Sequence, residues 1–340
     1  MNPNQYLYPL RSCVWEITLA CCFSCNYCGS KAGYARDNEL STSECLDVAR
    51  QLADMGCSRV SLIGGEVFMR PDWLDIARAL TDRKVRVSII TNGYLFSERL
   101  IDDIKACNIE SIAVSLDGPE QIHDRYRQKG SFKRAIQAID ILTKHNIPVS
   151  VISTLHSNNV DCLDEMYEIL KIKGIFAWQL QACSPMGNAL DDKFSTNISF
   201  QKVINFVEKR LQNPYFAIGV ADNIGYYTES EGRIRGKADG KTVFLGCRAG
   251  LTSIGIDSIG NVRGCESMYD ESFIEGNLRE KFLYDIWNDP EAFFYNRHFK
   301  AEQLTGKCKN CVYGNKCAGG CRSYNYFTHG QMYESLFCIK

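Results

Sequence analysis

The 340-residue chain carries 39 Lys and Arg against 40 Asp and Glu, a formal charge of −1, and 45% of its residues are hydrophobic. That balance gives no reason to expect a nucleic-acid groove or an anionic membrane partner. No apolar run approaches a membrane span, and residues 1–11 lack the basic-then-apolar order of a secretion signal, so the expectation is a cytoplasmic protein with no nucleic acid and no membrane as partner.

From residue 13 to 215, short β-branched runs alternate with longer amphipathic ones. The predicted strands are 13–19, 59–63, 85–91, 109–116, 148–154 and 175–181. Between and after them, helical periodicity covers 42–55, 71–81, 97–106, 132–145, 160–172 and 200–211. Ser41 with Glu44, Pro71 and Ser131 supply helix-start signals. Six β–α units in a row predict a parallel sheet, and six are too few for a full barrel, so the fold class is an open, partial (β/α)6 TIM-like barrel. Gly-rich or polar residues follow nearly every strand, where such folds build their sites: Gly64-Gly65-Glu66, Asn92-Gly93, Asp117-Gly118 and Asn158-Asn159.

Residues 213–246 change character, and 229–240 (ESEGRIRGKADG) read as a mobile linker or lid. A β-hairpin follows, 251–257 and 262–266 around a turn at 258–261. The remainder is short, aromatic and cysteine-rich, a segment held by metal rather than by core burial. The expected organisation is a barrel over 1–215, a bridging region over 216–246, and a cysteine-rich domain over 247–340.

Ten of the 17 cysteines fall into spaced groups. Cys21, Cys25 and Cys28 read C-x3-C-x2-C just after the first strand. Cys247 and Cys265 enclose Gly260 as C-x12-G-x4-C. Cys308, Cys311, Cys317 and Cys321 read C-x2-C-x5-C-x3-C, with Cys338 near the end. With no secretion signal, so many thiols argue for metal ligation and against a disulfide framework. Taken alone, the first group leaves a zinc site open, and the C-terminal groups leave a zinc-ribbon-like domain open.

The loop Cys21-Cys22-Phe23-Ser24-Cys25-Asn26-Tyr27-Cys28, with an aromatic residue before its last cysteine, resembles the signature of the radical S-adenosylmethionine (SAM) superfamily. The resemblance implies a 4Fe–4S cluster on Cys21, Cys25 and Cys28 whose open iron chelates SAM. An electron from that cluster then yields a 5′-deoxyadenosyl radical that abstracts a substrate hydrogen. Gly64-Gly65-Glu66 stands where the family has its GGE motif, although Val67 replaces the usual Pro. Tyr27, Thr91, Asn92, Ser115 and Asp117 match further positions at the SAM site, and Arg127 is a candidate partner of the SAM carboxylate. For each of the positions beyond the GGE motif and Tyr27, a solvated or helix-capping role is equally open.

The C-terminal groups resemble the SPASM extension, which implies two auxiliary 4Fe–4S clusters and three clusters in all. By that resemblance Cys308, Cys311, Cys317 and Cys338 hold the outer one, and Cys247, Cys265 and Cys321 the inner one, which lacks a fourth cysteine. Glu266, after Cys265, is a candidate base, with an exposed hairpin Glu as the alternative. Cys183, after the sixth strand, is a candidate hydrogen donor, with a buried structural cysteine as the alternative. Cys22 is a bystander, and Cys13, Cys45, Cys57, Cys107 and Cys162 read as core residues.

The resemblance implies an enzyme that cross-links, epimerises or oxidises a peptide or protein, fed by an electron donor such as flavodoxin or ferredoxin. Only about twelve residues precede the first strand, so we expect no peptide-recognition domain ahead of the barrel; a separate recognition protein or direct docking would serve. The alternatives are oxidation or epimerisation of a small molecule such as a sugar or aminoglycoside, and a non-catalytic iron–sulfur electron carrier.

Overall fold

A computed structural model describes residues 8–190, 199–235 and 244–340. In chain order the elements are β1 (Ser12–Glu16), α1 (Thr42–Asp54), β2 (Arg59–Ile63), α2 (Trp73–Thr81), β3 (Arg86–Thr91), α3 (Leu100–Ala106) and β4 (Ser111–Ser115). Next come α4 (Glu120–Tyr126), α5 (Ser131–Lys144), β5 (Val149–Leu155), α6 (Leu163–Leu170), β6 (Ala177–Ala182), α7 (Phe200–Lys209), β7 (Ala217–Val220) and α8 (Glu231–Ile234). The C-terminal third holds β8 (Ser253–Ile256), β9 (Asn261–Arg263), β10 (Gly276–Asn277), α9 (Leu283–Asn288), α10 (Phe294–Arg297), α11 (Gly314–Cys317) and α12 (Arg322–His329).

The chain forms two compact units. The first comprises Met1–Ser24, Ser30–Ala113 and Arg248–His298; the second comprises Cys25–Gly29, Val114–Cys247 and Phe299–Lys340. In the first, the strand order is β10-β9-β8-β1-β2-β3. β1 lies parallel to β2 on one side (Trp15 opposite Leu62) and parallel to β8 on the other (Trp15 opposite Ile256). β8 and β9 form the expected antiparallel hairpin. Trp15, Val60, Leu62, Val87 and Ile89 are fully buried from solvent, with Leu52, Ile76 and Leu80 from α1 and α2 among the core residues of the same unit. Burial at that level stabilises by roughly 1.5–3 kcal/mol per large apolar side chain.

In the second unit β5, β6 and β7 are parallel, in that order. Every second residue of β5 is buried, the period of a strand with one face in the core. Trp178 of β6 is wholly buried, and its indole N–H donates to Ser153 Oγ at 2.8 Å, so the one polar group on the ring is satisfied.

All six predicted strands are present, and the fold class is as expected: parallel strands alternating with helices, then a hairpin and a cysteine-rich segment. Several short elements went unpredicted: α4 and β7, seven and four residues long, and beyond them α8, β10 and α9 to α12. Periodicity over so few residues carries little signal. The start of α5 differs from expectation too. Ser131 is its first residue rather than its cap, Gly130 precedes it at φ +82°, and Asp124 accepts the backbone N–H groups of Gly130 (2.6 Å) and Phe132 (2.8 Å). Part of the stretch read as a mobile linker is packed helix: in α8, Glu231 is buried and accepts from Tyr227 N (2.8 Å), Phe244 N (3.1 Å) and Arg235 Nε (2.9 Å). Residues 236–240 of that stretch lie outside the described residues. No described helix is long and apolar enough to cross a membrane.

α1 begins with the capping box that the sequence announces: Ser41 Oγ accepts from Glu44 N, and Glu44 Oε2 accepts from Ser41 N at 2.7 Å. Ser41→Ala removes one half of that exchange, and the expected loss is about 1 kcal/mol. A thermal-unfolding midpoint a few degrees below wild type is the readout.

Candidate active site and metal centres

In the first unit, one carboxylate ties the exit of β2 to that of β3. Glu66 follows β2 and is 1% exposed; it accepts from Thr91 Oγ at 2.8 Å and Asn92 N at 2.8 Å. Gly64 and Gly65 let this loop lie directly on the chain leaving β1. Gly65 N donates to Thr18 O (2.8 Å) and Glu66 N to Ala20 O (2.7 Å), and a Cβ on Gly65 would stand 2.3 Å from Ala20 O. The N–H groups of Gly65 and Glu66 are therefore spent on the scaffold, and what the loop offers a ligand is its carbonyl side. Thr91 and Asn92, named from sequence as SAM contacts, are both buried. Asn92 Nδ2 reaches the sulfurs of Cys21 (3.8 Å) and Cys22 (3.5 Å), and Phe23 N donates to Cys21 Sγ at 3.4 Å. Amide N–H groups aimed at a sulfur suit a ligating thiolate.

In the second unit, Cys25, Tyr27 and Cys28 share a short loop braced by residues that sequence reasoning missed. Asn188 N donates to Cys28 O (2.9 Å) and Asn188 Nδ2 to Cys25 O (2.9 Å). Gly187, at φ +61°, passes so close to the loop that a Cβ would stand 2.2 Å from Cys28 O. Just beyond β4, Asp117 is 3% exposed and its Oδ2 accepts from both Tyr27 Oη and Arg127 Nε. Asp117 Oδ1 accepts from Thr154 N at 2.7 Å, and the Asp117 backbone is held by His123 Nδ1 (3.1 Å) and Asn159 Nδ2 (2.8 Å). Arg127 opposes burial and holds the Asp117 carboxyl below its ordinary range. The structure thus places Arg127 on Asp117, with the thiol of Cys25 among the groups that stabilise its charge. Ser115 is half-buried at the end of β4.

Cys308, Cys311, Cys317 and Cys338 line one recess, together with Tyr226, Tyr227 and Tyr313. Tyr313, between Cys311 and Cys317 in the chain, stacks on Tyr227 with ring centroids 4.3 Å apart. Burial and then the neighbouring thiols Cys338 and Cys308 push the Cys317 thiol up to about 12, a penalty that bound iron would reverse. Among the described residues no three Cys, His, Asp or Glu side chains close on a single metal ion. Four thiols set around a recess fit a cubane of iron and sulfide better than one zinc, which needs its sulfurs at about 2.3 Å. Cys321 N donates to Tyr226 Oη at 3.0 Å, while Cys247 and Cys265 are both half-buried, in the second and first units respectively.

Glu266 proves to be buried rather than an exposed hairpin residue. It is 9% exposed, neither carboxylate oxygen has a hydrogen-bond partner, and burial with nearby Glu16 pushes its carboxyl well above the ordinary range. Glu16, at the end of β1, was not anticipated. It is 1% exposed and pairs with Arg36 at 2.6 Å. Its signal was a lone acid in an otherwise apolar strand. Cys183 is 2% exposed and clusters with Tyr27, Tyr126 and Ala189. Cys13, Cys45, Cys57 and Cys107 are buried, and Cys162 is half-buried.

Residues 15–170 match the radical SAM superfamily, and residues 247–312 match the iron–sulfur cluster-binding domain SPASM. The chain carries a radical SAM domain followed by a SPASM domain. It is similar to the AdoMet-dependent heme synthase of Methanosarcina barkeri, 28% identical over 97% of this chain and 96% of that protein. It is also similar to the mycofactocin maturase MftC of Mycolicibacterium smegmatis, 27% identical over 92% of this chain and 78% of the relative. Among solved structures, SuiB of Streptococcus suis bound to S-adenosylmethionine superimposes with a TM-score of 0.79 at 17% identity, over 98% of this chain and 78% of that one. This radical SAM chain is accordingly an enzyme that binds SAM and iron–sulfur clusters.

Two predictions follow from the buried polar groups. Glu66→Gln replaces an acceptor with an amide that must turn one N–H toward donors it cannot use, and a loss of about 1–3 kcal/mol in unfolding free energy is expected. His123 is fully buried, and burial followed by Arg127 lowers its imidazole to about 4. The unfolded chain binds that proton near pH 6.5 and the folded chain does not. Stability is therefore complete above pH 6.5 and falls as pH drops toward 4, by roughly 3 kcal/mol from this group. Unfolding midpoints across that window should slope less in His123→Gln than in wild type.

Proposed function

We propose that this chain cleaves SAM reductively and abstracts hydrogen from a peptide or protein, installing a cross-link, an epimerised centre or an oxidised residue. The observation that carries the peptide reading is the match to mycofactocin maturase over 92% of the chain, joined by the sporulation killing factor maturation protein of Bacillus subtilis at 26% identity over 57% of it. A second reading is favoured by the heme synthase, which matches across nearly the full length of both chains: a small-molecule substrate of tetrapyrrole class. A non-catalytic electron carrier is set aside by the radical SAM domain.

With its N-terminal cluster and SAM bound, the enzyme has a source of hydrogen-abstracting radical. We assign Cys21, Cys25 and Cys28 to that cluster. Gly64, Gly65, Glu66, Thr91, Asn92 and Ser115 line the SAM site, where Glu66 orders Thr91 and Asn92 instead of meeting solvent. Tyr27, Asp117 and Arg127 act as one unit that fixes the cysteine loop and sets a guanidinium beside Cys25. Cys308, Cys311, Cys317 and Cys338 are assigned to the outer auxiliary cluster, and Cys247, Cys265 and Cys321 to the inner one, three clusters in all. Glu266 is the candidate proton acceptor, because its buried carboxyl has no partner among the described residues. Cys183 is the candidate hydrogen donor, packed in the same cluster as Tyr27. Electrons would come from a flavodoxin or ferredoxin in the cytoplasm, the compartment that suits 17 reduced cysteines. A separate recognition protein would present the peptide.

The test is anaerobic turnover of reconstituted enzyme with SAM and dithionite. Wild type should form 5′-deoxyadenosine, and Cys25→Ala should fall to background while the C-terminal clusters keep their iron. Addition of a precursor peptide encoded beside the gene should give a peptide of altered mass. Turnover of a heme-precursor tetrapyrrole, with every such peptide unchanged, would replace this reading with the second.

A further inference from the structure

Arg322 opens α12 directly after Cys321 and is 0% exposed, although a lone buried guanidinium is among the costliest groups a protein can hold. Its ring-like plane is covered on the Phe299 side (5.1 Å to the centroid) and by Tyr333 (4.6 Å). One end is also fixed: Nη1 donates to Ala318 O, and to Met332 O at 3.1 Å. The other edge, carrying Nε–H and Nη2–H, has no acceptor. That edge is the planar fork with which arginine grips two acceptors at once.

Among the described residues no Asp or Glu forms an ion pair with Arg322. The groups that bear on its charge are Cys247 first, then Tyr333, Cys321 and Cys317. All of them belong to the second unit. Packing alone does not account for this residue, since a Met or Leu would fill the slot between Phe299 and Tyr333 without two buried, unmatched donors. A thiolate-ligated iron–sulfur cluster is anionic and exposes sulfide and thiolate acceptors, and hydrogen bonds to its sulfurs set its potential. We propose that Arg322 tunes the iron–sulfur cluster held by Cys247 and Cys321, its Nε–H and Nη2–H donating to the cluster's sulfurs and its fixed positive charge favouring the reduced form.

This rests on the inner auxiliary cluster assigned above, and the experiment separates the two claims. Iron is counted first, then reconstituted full-length wild type, Arg322→Gln and Arg322→Lys are titrated with dithionite and followed by electron paramagnetic resonance. The expected result is unchanged iron and, in Arg322→Gln, one cluster signal whose oxidised-to-reduced ratio at fixed potential rises at least tenfold. For a one-electron couple that is a midpoint lower by about 59 mV. Arg322→Lys keeps the charge without the fork and should move less. Unmoved midpoints at full iron content overturn the role of Arg322. Wild-type iron near eight per chain, where three clusters need about twelve, overturns the inner-cluster reading itself. Should Arg322→Gln lose iron, Arg322→Met decides the matter. Its apo form should melt above wild-type apo protein, because an unmatched charge has left the core, and its loaded form below loaded wild type. An apo Arg322→Met chain that melts below wild-type apo overturns the proposal.

Discussion

A carboxylate taken out of water must be surrounded by donors or it takes up a proton, and Asp117 shows what that requirement organises. Its side chain accepts from Tyr27, Arg127 and Thr154 N, and its backbone is held by His123 and Asn159. Those five partners come from the cysteine loop, α4 and the segment following it, β5 and the turn beyond it. Satisfying one buried anion thereby fixes the positions of three stretches of chain that are far apart in sequence, at residue 27, residues 123–127 and residues 154–159. The cysteine loop takes its shape from this anchor, from Asn188 and from the packing of Tyr27 against Tyr126 and Ala189.

Glu66 does the corresponding work in the first unit, accepting from Thr91 and Asn92. In both places an acid at a strand exit turns inward to bind neighbouring loops. The side chains around the cysteines are consequently ordered before any cofactor arrives, which reduces the ordering cost of binding it. The same accounting makes Glu266 and Arg322 conspicuous. Both are buried, and among the described residues their polar edges have no acceptor or donor. Buried polar groups left unmatched by the protein point to a ligand that matches them.

The sequence was most legible where the pattern was long or the chemistry rare. Strand β2 was bounded correctly because RVSLI alternates between a Gly-containing turn and a Gly-Gly pair, and α1 because Ser41 and Glu44 sit at capping-box spacing. The cysteine spacings pointed to the family that residues 15–170 and 247–312 match. What was not legible depended on partners brought together by folding. Arg127 was read as a candidate partner of the SAM carboxylate, and nothing in the run Asp124 to Arg127 reveals that its Nε also donates to Asp117. An exposed Glu266 was the alternative because a hairpin suggests solvent, but Glu266 lies against Gly255 of β8 and is buried. Arg322 gave only one signal, a cation immediately after the last cysteine of the C-x3-C pair, and one residue cannot report its own burial.

The measurement that tests this account most directly is the amount of iron, acid-labile sulfide and zinc per chain after purification and reconstitution without oxygen. The account predicts about twelve irons with matching sulfide and no zinc, the content of three 4Fe–4S clusters. One or two zinc ions with little iron, even after reconstitution, would contradict it and leave the cysteine-rich segments as structural zinc sites.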